Sequence, residues 1–411
     1  MQTNLLPEIR ATIEGAEAES ILRSCVHCGM CNATCPTYQL LGDELDGPRG
    51  RIYLIKQMLE GQQVSAITHS HLDRCLSCRS CETTCPSGVQ YHRLLDIGRT
   101  ELERRSPRNF WQSLLRAGLK HGLTNPRLFN MALHLGRGMR AVLPDSLQKK
   151  IPLTVAPELL KRPVTQHPRQ VLLLAGCVQS ALGPEINAAT ARVLDVCGVQ
   201  AIEIAQSQCC GAVALHLSDA ERARQQARQT VDAWWPHLQS GAEAIVMTAS
   251  GCGLMVHDYP ELLAQDPVYA EKSKVMASKS MDVGRYLSSF RHQLIERLGG
   301  KIEQTLAWHA PCSLRHGLRE DRFVEDLLRE LGAEVRTCRD AHLCCGSAGT
   351  YSILQGPLSQ QLRDQKVEAL QECEGERIVS ANMACQLHLQ TGTNTPVEHW
   401  IMLLDRAIDK T

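Results

Sequence analysis

Apolar residues in the first hundred positions follow the spacing of an amphipathic helix. The stretch 47–61 reads GPRGRIYLIKQMLEG, and its large apolar residues fall three or four positions apart. The stretch 100–105, TELERR, also consists of good helix formers. Apolar side chains at this spacing form one buried stripe, so this part of the chain is predicted to be helical. The predicted stripe contains Ile52, Ile55, Met58 and Leu59.

A second pattern begins near position 170. Short apolar runs, such as VLLLAG at 171–176, alternate with amphipathic stretches such as 188–198 and 323–332. Alternation of strand and helix predicts parallel strands that are joined by right-handed crossovers. Ligands of such sheets bind beyond the carboxyl ends of the strands.

This second pattern occurs twice in the chain. VLLLAGC at 171–177 corresponds to TLAWHAPC at 305–312, and a Cys-Cys-Gly turn follows each run after 31 residues. A later single cysteine ends each copy. Each copy is predicted as strand, helix, strand, helix, strand, with its cysteines at the carboxyl ends of the strands. The recurring cysteines are Cys177, Cys209, Cys210 and Cys252 in the first copy, and Cys312, Cys344, Cys345 and Cys385 in the second.

Nineteen cysteines in 411 residues are the unusual feature of the composition. Such a number indicates either a secreted disulfide framework or metal sites in a reducing compartment. The first twenty residues lack the basic start and apolar segment of a signal peptide, which favours metal sites. No apolar run reaches the ~18 residues of a membrane-spanning helix. Lys plus Arg and Asp plus Glu both total 44, and this zero net charge argues against a nucleic-acid partner.

Eight of the cysteines form two copies of the motif C-x2-C-x2-C-x3-C-P, and the copies are 50 residues apart. Three thiolates on one tight loop can bind three irons of a [4Fe–4S] cubane, whereas the proline turns the chain away at the fourth. In proteins with two such clusters, this fourth cysteine ligates the other cluster. We therefore assign Cys25, Cys28, Cys31 and Cys85 to cluster one, and Cys75, Cys78, Cys81 and Cys35 to cluster two.

Structural zinc is the alternative for these paired cysteines. Zinc takes four ligands and would leave half of the eight thiols unused. A cluster with four thiolate ligands is negatively charged, so a nearby arginine would favour its reduction. For most of the arginines that flank the motifs, the expectation is nevertheless solvent-exposed surface charge. The flanking residues are Arg49, Arg51, Arg74, Arg79 and Arg93.

The recurring cysteines of the two copies form a further candidate metal site. Four thiols in each copy suffice for zinc or for one conventional cluster, and a site shared by both copies is a further option. Thiols without any metal are the alternative. His388 follows Cys385 closely and is either another ligand or part of a helix face. Cys197, Cys338 and Cys373 have no counterpart in the other copy and are predicted to be buried small apolar residues.

The segment 106–150 is free of cysteine and strongly basic, with Asp145 as its single acidic residue. Trp111, Leu115 and Leu119 share one helical face, and other apolar residues lie beside them. A basic amphipathic helix suits the interface of an anionic bilayer. The alternative is a pair of helices packed between domains with the arginines facing solvent. The basic residues are Arg108, Arg116, Lys120, Arg127, Arg137, Arg140, Lys149 and Lys150.

These motifs resemble, over essentially the whole chain, those of the iron–sulfur subunit family of bacterial glycolate oxidase. The stretch 26–57, CCGAV at 209–213 and HLCCGSAGTY at 342–351 carry the resemblance. The repeats look like the cysteine-rich CCG domains of heterodisulfide reductases and of the small subunit of anaerobic glycerol-3-phosphate dehydrogenase. Together with the patterns above, this implies an α+β multidomain chain, in which a helical dicluster [4Fe–4S] ferredoxin domain (1–105) and a basic helical connector (106–168) precede two duplicated α/β CCG domains (169–300 and 301–411).

The resemblance further implies an electron-transfer role. Glycolate, and less efficiently D-lactate, would be oxidised to the 2-oxo acid on FAD-containing partner subunits. Electrons would then pass through the two [4Fe–4S] clusters of this chain to a membrane acceptor, a quinone, from the cytoplasmic side of the inner membrane. No catalytic residue is assigned to this chain, because no dinucleotide fingerprint follows a strand. His309 and His316, on either side of Cys312, are expected to be structural.

One departure from the CCG pattern bears on the chemistry. The full pattern ends in C-x2-C, but Cys252 and Cys385 each lack the second cysteine. The noncubane clusters of heterodisulfide reductases use that fifth thiol, so a thiol–disulfide reductase that acts through the CCG cysteines is the less favoured alternative. A structural zinc scaffold is a third interpretation, and the paired eight-cysteine motifs argue against it.

Overall fold

The computed structural model describes residues 1–140, 151, 154–204 and 209–408. Up to residue 140 its regular structure is helical, and two four-stranded parallel sheets follow. The predicted class is therefore confirmed: a helical N-terminal part precedes two α/β repeats. The domain boundaries after residues 105, 168 and 300 stay predictions.

Short helices in the N-terminal part enclose the cysteine loops. The predicted stripe between 47 and 61 is buried on the helix that Pro48 begins, where the missing N–H of proline costs no hydrogen bond. Two single turns, Met30–Thr34 and Glu44–Asp46, complete this part. The helices are α1 (Pro7–Arg10), α2 (Ile13–Ser24), α3 (Pro36–Leu41), α4 (Pro48–Leu59), α5 (Ala66–Asp73), α6 (Ser80–Thr84) and α7 (Tyr91–Arg105).

Two further helices, α8 (Phe110–Thr124) and α9 (Pro126–Gly138), form a hairpin within the basic segment. Three basic side chains of this segment face the protein, whereas Arg127 is exposed. A carboxylate oxygen of Asp73 lies 2.6 Å from Arg108 and 2.9 Å from Arg116, and Lys120 lies 2.7 Å from Asp219. The expectation that these three basic residues face a bilayer or solvent is wrong, because carboxylates of the neighbouring helices attract them. Lys149 and Lys150 lie outside the described residues.

The apolar side chains of this hairpin are exposed instead. Trp111 is 75% exposed and Leu135 is 63% exposed. No helix in the described ranges combines the length and the apolar character that crossing a bilayer requires. We name the exposed apolar residues of α8 and α9 the hairpin face; they are Phe110, Trp111, Leu114, Leu115, Leu128, Met131 and Leu135.

The first sheet has the strand order β2-β1-β3-β4, with every neighbouring pair parallel. Its strands are β1 (Arg169–Leu173), β2 (Val199–Glu203), β3 (Ala244–Met247) and β4 (Ser280–Asp282). Its helices are α10 (Gln179–Leu182), α11 (Pro184–Val196), α12 (Ala212–His216), α13 (Ala220–Gln239), α14 (Ser250–His257), α15 (Tyr259–Leu262), α16 (Ala270–Lys279), α17 (Val283–Ser288) and α18 (Arg291–Leu298).

The second sheet repeats this topology as β6-β5-β7-β8. Three strands were predicted for each copy, and the fourth is an addition of only three residues, too short to produce a periodic pattern. The strands are β5 (Thr305–His309), β6 (Glu334–Thr337), β7 (Arg377–Ser380) and β8 (Val397–His399). The helices are α19 (Asp321–Glu330), α20 (Tyr351–Leu354), α21 (Gly356–Gln371), α22 (Met383–Gln390) and α23 (Ile401–Ile408), and a π-helical turn spans Ser313–Leu318.

The two copies exchange helices across a shared core. Helix α17 follows the last strand of the first copy and packs on α19 of the second, while α23 follows the last strand of the second copy and packs on α11 of the first. Asp405 on α23 pairs with Arg192 on α11 at 2.6 Å. One apolar cluster contains residues of both copies, including the fully buried Trp308 and Trp400. Since this shared core is close-packed, the exchange fixes the position of one sheet relative to the other, and with it the position of the cysteines near the carboxyl ends of their strands.

Candidate metal centres

We name residues 25–35 the first cysteine loop and residues 75–85 the second cysteine loop. The first group of thiols surrounds a small cavity between α2, α4 and the second cysteine loop. Cys25, Cys28, Cys31 and Cys85 line it, together with Cys81, which also lines the second cavity, and apolar side chains such as Ile52. Burial, together with the charges of Cys25, Cys85 and Cys28, raises the pKa of Cys31 to about 11. The structure therefore brings together all four cysteines that were assigned to cluster one. Four thiols around an apolar-lined cavity form a donor set that suits an iron–sulfur cluster.

The second group lies deeper. Cys35, Cys75, Cys78 and Cys81 line a second cavity beside Tyr91. Burial raises the pKa of Cys81 well above its ordinary value, and the charges of Cys78, Cys75 and Cys35 contribute in the same direction. The structure thus brings together the four cysteines that were assigned to cluster two, although Cys35 is forty residues from the next of them in the sequence.

The crossover of the two motifs depends on matching loops. Gly29 and Arg79 both adopt left-handed backbone conformations, with φ of 84° and 60°, and each begins the turn that ends at the fourth cysteine of its motif. The two turns then meet, since Thr84 Oγ1 donates to Thr34 Oγ1 at 3.3 Å. Each fourth cysteine therefore reaches the thiols of the opposite motif.

Arg51 is the cation that is closest to the second group. It is 1% exposed, and its Nη1 lies 4.0 Å from Cys35 Sγ. Although burial opposes it, the charges of Cys75, Tyr91 and Cys35 raise the pKa of Arg51. The expectation that most of the flanking arginines are solvent-exposed surface charges is wrong for this residue. A buried cation at this position makes the cavity favourable for a negatively charged cluster.

The other flanking arginines are held by carboxylates. Arg49 pairs with Glu44, Arg74 with Asp46, Arg79 with Asp258 and Arg93 with Glu17. Arg79 in particular connects the second cysteine loop to helix α14 of the first copy. The Arg79 pair therefore fixes the orientation of the second cysteine loop relative to the first repeat, while the other three pairs lie within the N-terminal part.

The thiols of the first copy form a separate group. Cys177 follows β1, Cys209 and Cys210 precede α12, and Cys252 lies in the first turn of α14. Hydrogen bonds from Cys177 and Cys210 lower the pKa of Cys209 to about 4. Cys210 is also hydrogen-bonded to Cys252. All four predicted thiols of this copy therefore converge.

The thiols of the second copy form an equivalent group. Cys312 Sγ donates to Cys344 Sγ at 3.8 Å, and Cys345 is hydrogen-bonded to Cys344 and to Cys385. Asn382 Nδ2 donates to Cys385 Sγ at 3.4 Å. The thiol–thiol hydrogen bonds run within each copy, which makes two groups of four rather than one shared group.

The predicted position of Cys252 and Cys385 at strand ends is wrong by a few residues. β3 ends at Met247 and β7 at Ser380, and both cysteines lie on the helices that follow, α14 and α22. Because each cysteine lies in the first turn of its helix, its thiol still lies close to the other three thiols of the same copy. The change of backbone direction could not be read from the hydrophobic pattern, because strand end and helix start are both apolar.

The second cysteine loop touches the thiols of the second copy. The charge of Cys312 contributes to the raised pKa of Cys78, after burial, and Cys78 acts in the same way on Cys344. Leu76 belongs to the same apolar cluster as Cys344 and Tyr351. A continuous line of thiols therefore runs from the N-terminal part into the second CCG repeat.

Cysteines without a counterpart in the other copy are buried, as predicted. These cysteines are Cys197, Cys338 and Cys373.

Two histidines near the thiol groups have hydrogen-bond partners in the protein. His316 bonds to Thr83 Oγ1 at 3.1 Å and to the carbonyl oxygen of His342 at 2.8 Å. His388 Nε2 lies 3.2 Å from Ser359 Oγ.

His309 was expected, like His316, to be structural, but the structure places it beside candidate metal ligands. Its imidazole contacts the thiol group of the second copy, and one of its ring nitrogens lies within 4.8 Å of the sulfurs of Cys345 and Cys385. Burial, with the charges of Lys366 and Arg315, lowers the pKa of His309 well below its ordinary value. The signal in the sequence was the mismatch between the copies, since Leu174 corresponds to His309.

Comparisons with known proteins agree with this arrangement. A model of the 4Fe-4S dicluster domain matches residues 21–89, and a model of the cysteine-rich domain matches 171–257 and 306–390. The glycolate oxidase iron-sulfur subunit of Escherichia coli (strain K12) is 47% identical, and the match covers the whole of both chains.

More distant relatives match the chain as well. The probable glycolate oxidase iron-sulfur subunit of Bacillus subtilis (strain 168) is 28% identical over 91% of this chain and 89% of its own length. Lactate utilization protein A of Bacillus pumilus is 27% identical over 54% of this chain and 90% of its own length. The chain is an electron-transfer protein that carries iron–sulfur clusters, and it belongs to the family of glycolate oxidase iron–sulfur subunits.

Proposed function

We propose that this chain accepts electrons from FAD-containing partner subunits that oxidise glycolate, and less efficiently D-lactate, to the 2-oxo acid. It passes them to a membrane acceptor, a quinone, and performs no substrate chemistry itself. The similarity over full length to a glycolate oxidase iron-sulfur subunit supports the substrate class and the partner.

We further propose two [4Fe–4S] clusters with crossed ligands, which supply one-electron carriers when bound. Cys25, Cys28, Cys31 and Cys85 hold cluster one, and Cys75, Cys78, Cys81 and Cys35 hold cluster two. The mutual effects of these thiols on their pKa values support both sets.

One observation carries this function, namely the gradient of exposure along the thiols. Of the 19 cysteines, all of which lie in described residues, Cys28 alone is exposed. Val26 and Met30 beside it are 69% and 55% exposed. A partner can approach cluster one closely there, whereas no thiol of cluster two is exposed and Cys78 adjoins the second copy. This order favours stepwise transfer across the protein over reaction with small oxidants.

A thiol–disulfide reductase is less well supported. Exchange requires an accessible thiolate. Cys209, Cys210, Cys344 and Cys345 are all at most 5% exposed. The four-thiol groups of the two copies are better suited to hold metal, in zinc or in a further cluster, and we propose this use for them.

We also propose peripheral contact with the cytoplasmic side of the inner membrane through the hairpin face. Large apolar side chains such as Trp111 and Leu115 protrude from α8 and α9, and apolar area of this kind inserts into the interface of a bilayer. Ion pairs at Arg108, Arg116 and Lys120 hold the opposite side of the hairpin on the protein body. Contact with the membrane brings the chain close to a quinone.

Reconstitution tests the function. The purified chain is expected to bind no flavin and to oxidise no hydroxy acid. After mixing with the flavoprotein subunits it should restore glycolate-dependent reduction of a quinone analogue, and the Cys28→Ser variant should restore less. Turnover by the isolated chain, or full quinone reduction without it, would contradict the proposal.

A further inference from the structure

His309 ends strand β5 and carries a buried nitrogen without a partner. The residue is 2% exposed, and within the described part of the chain its Nε2 makes no hydrogen bond. A buried polar atom that is left unpaired is destabilising and uncommon in native proteins. Such an atom beside thiols indicates a missing ligand, and a metal ion is the ligand that both donors share.

The spacing of the donors favours a single ion over a cubane. A ring nitrogen of His309 and the sulfurs of Cys345 and Cys385 all lie within 4.8 Å of one another. Four ligands around one zinc, with Zn–S distances of about 2.3 Å, place neighbouring sulfurs about 3.8 Å apart. A trio of donors within 4.8 Å is close to this spacing, and Cys344 is hydrogen-bonded to Cys345 beside it. Among the described residues, none of the eight N-terminal motif cysteines takes part in so tight a trio of donors.

The first copy lacks this nitrogen. Cys177 and Cys312 are 135 residues apart, and the same offset pairs His309 with Leu174. Leu174 is 3% exposed and belongs to the apolar core of the first copy. The duplicated domains therefore differ in donor chemistry at this position, although their thiols match.

We propose that the second copy binds one zinc ion through His309, Cys345 and Cys385, with Cys344 as the fourth ligand, and that the first copy has no such mixed site. Zn²⁺ replaces the protons of the three thiols, which pass to solvent, and the imidazole binds as the neutral ring. A closed set of one nitrogen and three sulfurs is typical of structural zinc.

The position of the ion indicates a structural role. It connects three elements: the end of β5, which carries His309; the Cys-Cys-Gly turn, which carries Cys344 and Cys345; and helix α22, which carries Cys385. Leu76 and Cys78 of the second cysteine loop pack against this same region. The zinc therefore stabilises the part of the second copy that packs against the second cysteine loop and cluster two. This inference deepens the metal-holding use proposed for the second copy, and it does not depend on the electron-transfer route.

Metal analysis of the full chain, purified without oxygen, tests the site. About one zinc per chain is expected beside about eight irons, and zinc-edge X-ray absorption should show one nitrogen and three sulfur neighbours. In His309→Leu, which installs the residue of the first copy, zinc affinity should fall at least about tenfold while iron content is unchanged. His316→Gln is the matched control, since its ring bonds to Thr83 and His342, and it should keep its zinc.

Three results overturn the zinc site. These are a shell of sulfur alone, equal zinc affinity in folded His309→Leu and the parent chain, or about twelve irons with no zinc, which indicates a third cubane. Circular dichroism establishes that the variant is folded. Should His309→Leu fail to fold, zinc-edge absorption of the parent chain still decides between nitrogen and sulfur. Loss of the two clusters would instead count against the proposed function, so the two proposals fail separately.

Discussion

Arg51 Nη1 lies 4.0 Å from Cys35 Sγ, and both side chains are shielded from water. The arginine also donates to the carbonyl oxygen of His71 and to Thr37, which hold it in place. A fixed positive charge at this distance from a thiolate stabilises the more negative, reduced state of a cluster bound there.

Replacement of Arg51 by Gln is therefore expected to lower the reduction potential of cluster two by roughly 50 mV or more, for a charge a few ångströms away in a medium of intermediate dielectric constant. A redox titration followed by EPR measures the change. Arg49→Gln is the control: each arginine faces a carboxylate, Arg51 with Asp46 at 3.6 Å and Arg49 with Glu44, but Arg49 is one-third exposed, so solvent screens its charge and its effect should be small. Equal potentials in Arg51→Gln and the parent chain would show that solvent screens this charge.

The crossed ligands are tested by serine substitutions at the two fourth cysteines. Cys35→Ser should damage the cluster that Cys75, Cys78 and Cys81 hold and leave its sequence neighbour intact, because Pro36 turns the chain away. Cys85→Ser should have the opposite effect. EPR of each reduced variant distinguishes the two clusters, and loss of the Cys25–Cys31 cluster in Cys35→Ser would contradict the assignment.

A pH-dependent contact is expected between the N-terminal part and the first copy. His92 bonds to Glu82 at 2.9 Å and to Glu261 at 3.1 Å. Although burial opposes it, these two carboxylates raise the pKa of His92 to about 9. A raised folded-state pKa means that the contribution to stability is complete below the unfolded value of 6.5 and is lost as the pH rises towards 9.

The contribution of His92 to the free energy of unfolding is expected to be at most about 3 kcal/mol. His92→Gln should remove this part of the pH dependence. Urea unfolding of the holoprotein at pH 6 and pH 9.5 measures it, with His237→Gln as a control, since that residue lies at the end of α13. If the free energy of unfolding falls by the same amount between pH 6 and pH 9.5 in His92→Gln and in the parent chain, His92 is not the cause of this pH dependence.

Membrane contact is expected to depend on the apolar residues of the hairpin face rather than on the basic residues beneath it. Leu115→Glu with Leu135→Glu should reduce cosedimentation with phosphatidylglycerol vesicles at least tenfold, because burial of each leucine contributes roughly 1.5–3 kcal/mol. Gln112→Glu with Ser113→Glu adds the same two charges at exposed polar positions of α8 and should change little. If all variants sediment equally, the hairpin face serves another contact.

Charge reversal at Arg116 and Lys120 is expected to give a different result. Both residues pair with carboxylates of the protein body, so reversal should loosen the hairpin and lower the melting temperature. Limited proteolysis between 106 and 140 measures the loosening. Unchanged protease resistance would show that the two ion pairs do not hold the hairpin.

Several features of the molecule could be predicted from short-range pattern. The spacing of the motif cysteines restricts their chemistry, because a tight loop presents three thiols whatever surrounds it. The 135-residue offset between Cys177 and Cys312 revealed the duplication, and alternating apolar runs indicated parallel sheets. The stripe from Ile52 to Leu59 predicted its helix correctly, because its periodicity extends over several turns.

Other features depended on contacts between distant segments. Strands Ser280–Asp282 and Val397–His399 exist because a neighbouring strand offers hydrogen bonds, and three residues carry no periodic signal. Composition could not determine which side of the hairpin faces solvent, since Asp73 and Asp219, which attract its cations, lie on other elements.

The thiol donors proposed here could be named from local motifs alone, because the spacing of the cysteines limits their possible metals wherever the chain places them. Long-range packing decides how those donors combine and adds His309 to them. It brought Cys35 to the opposite motif, Cys78 to the second copy and the nitrogen of His309 to Cys345 and Cys385. The physical reason is that a donor set is a matter of a few ångströms, and only packing of the whole chain sets distances between residues far apart in the sequence.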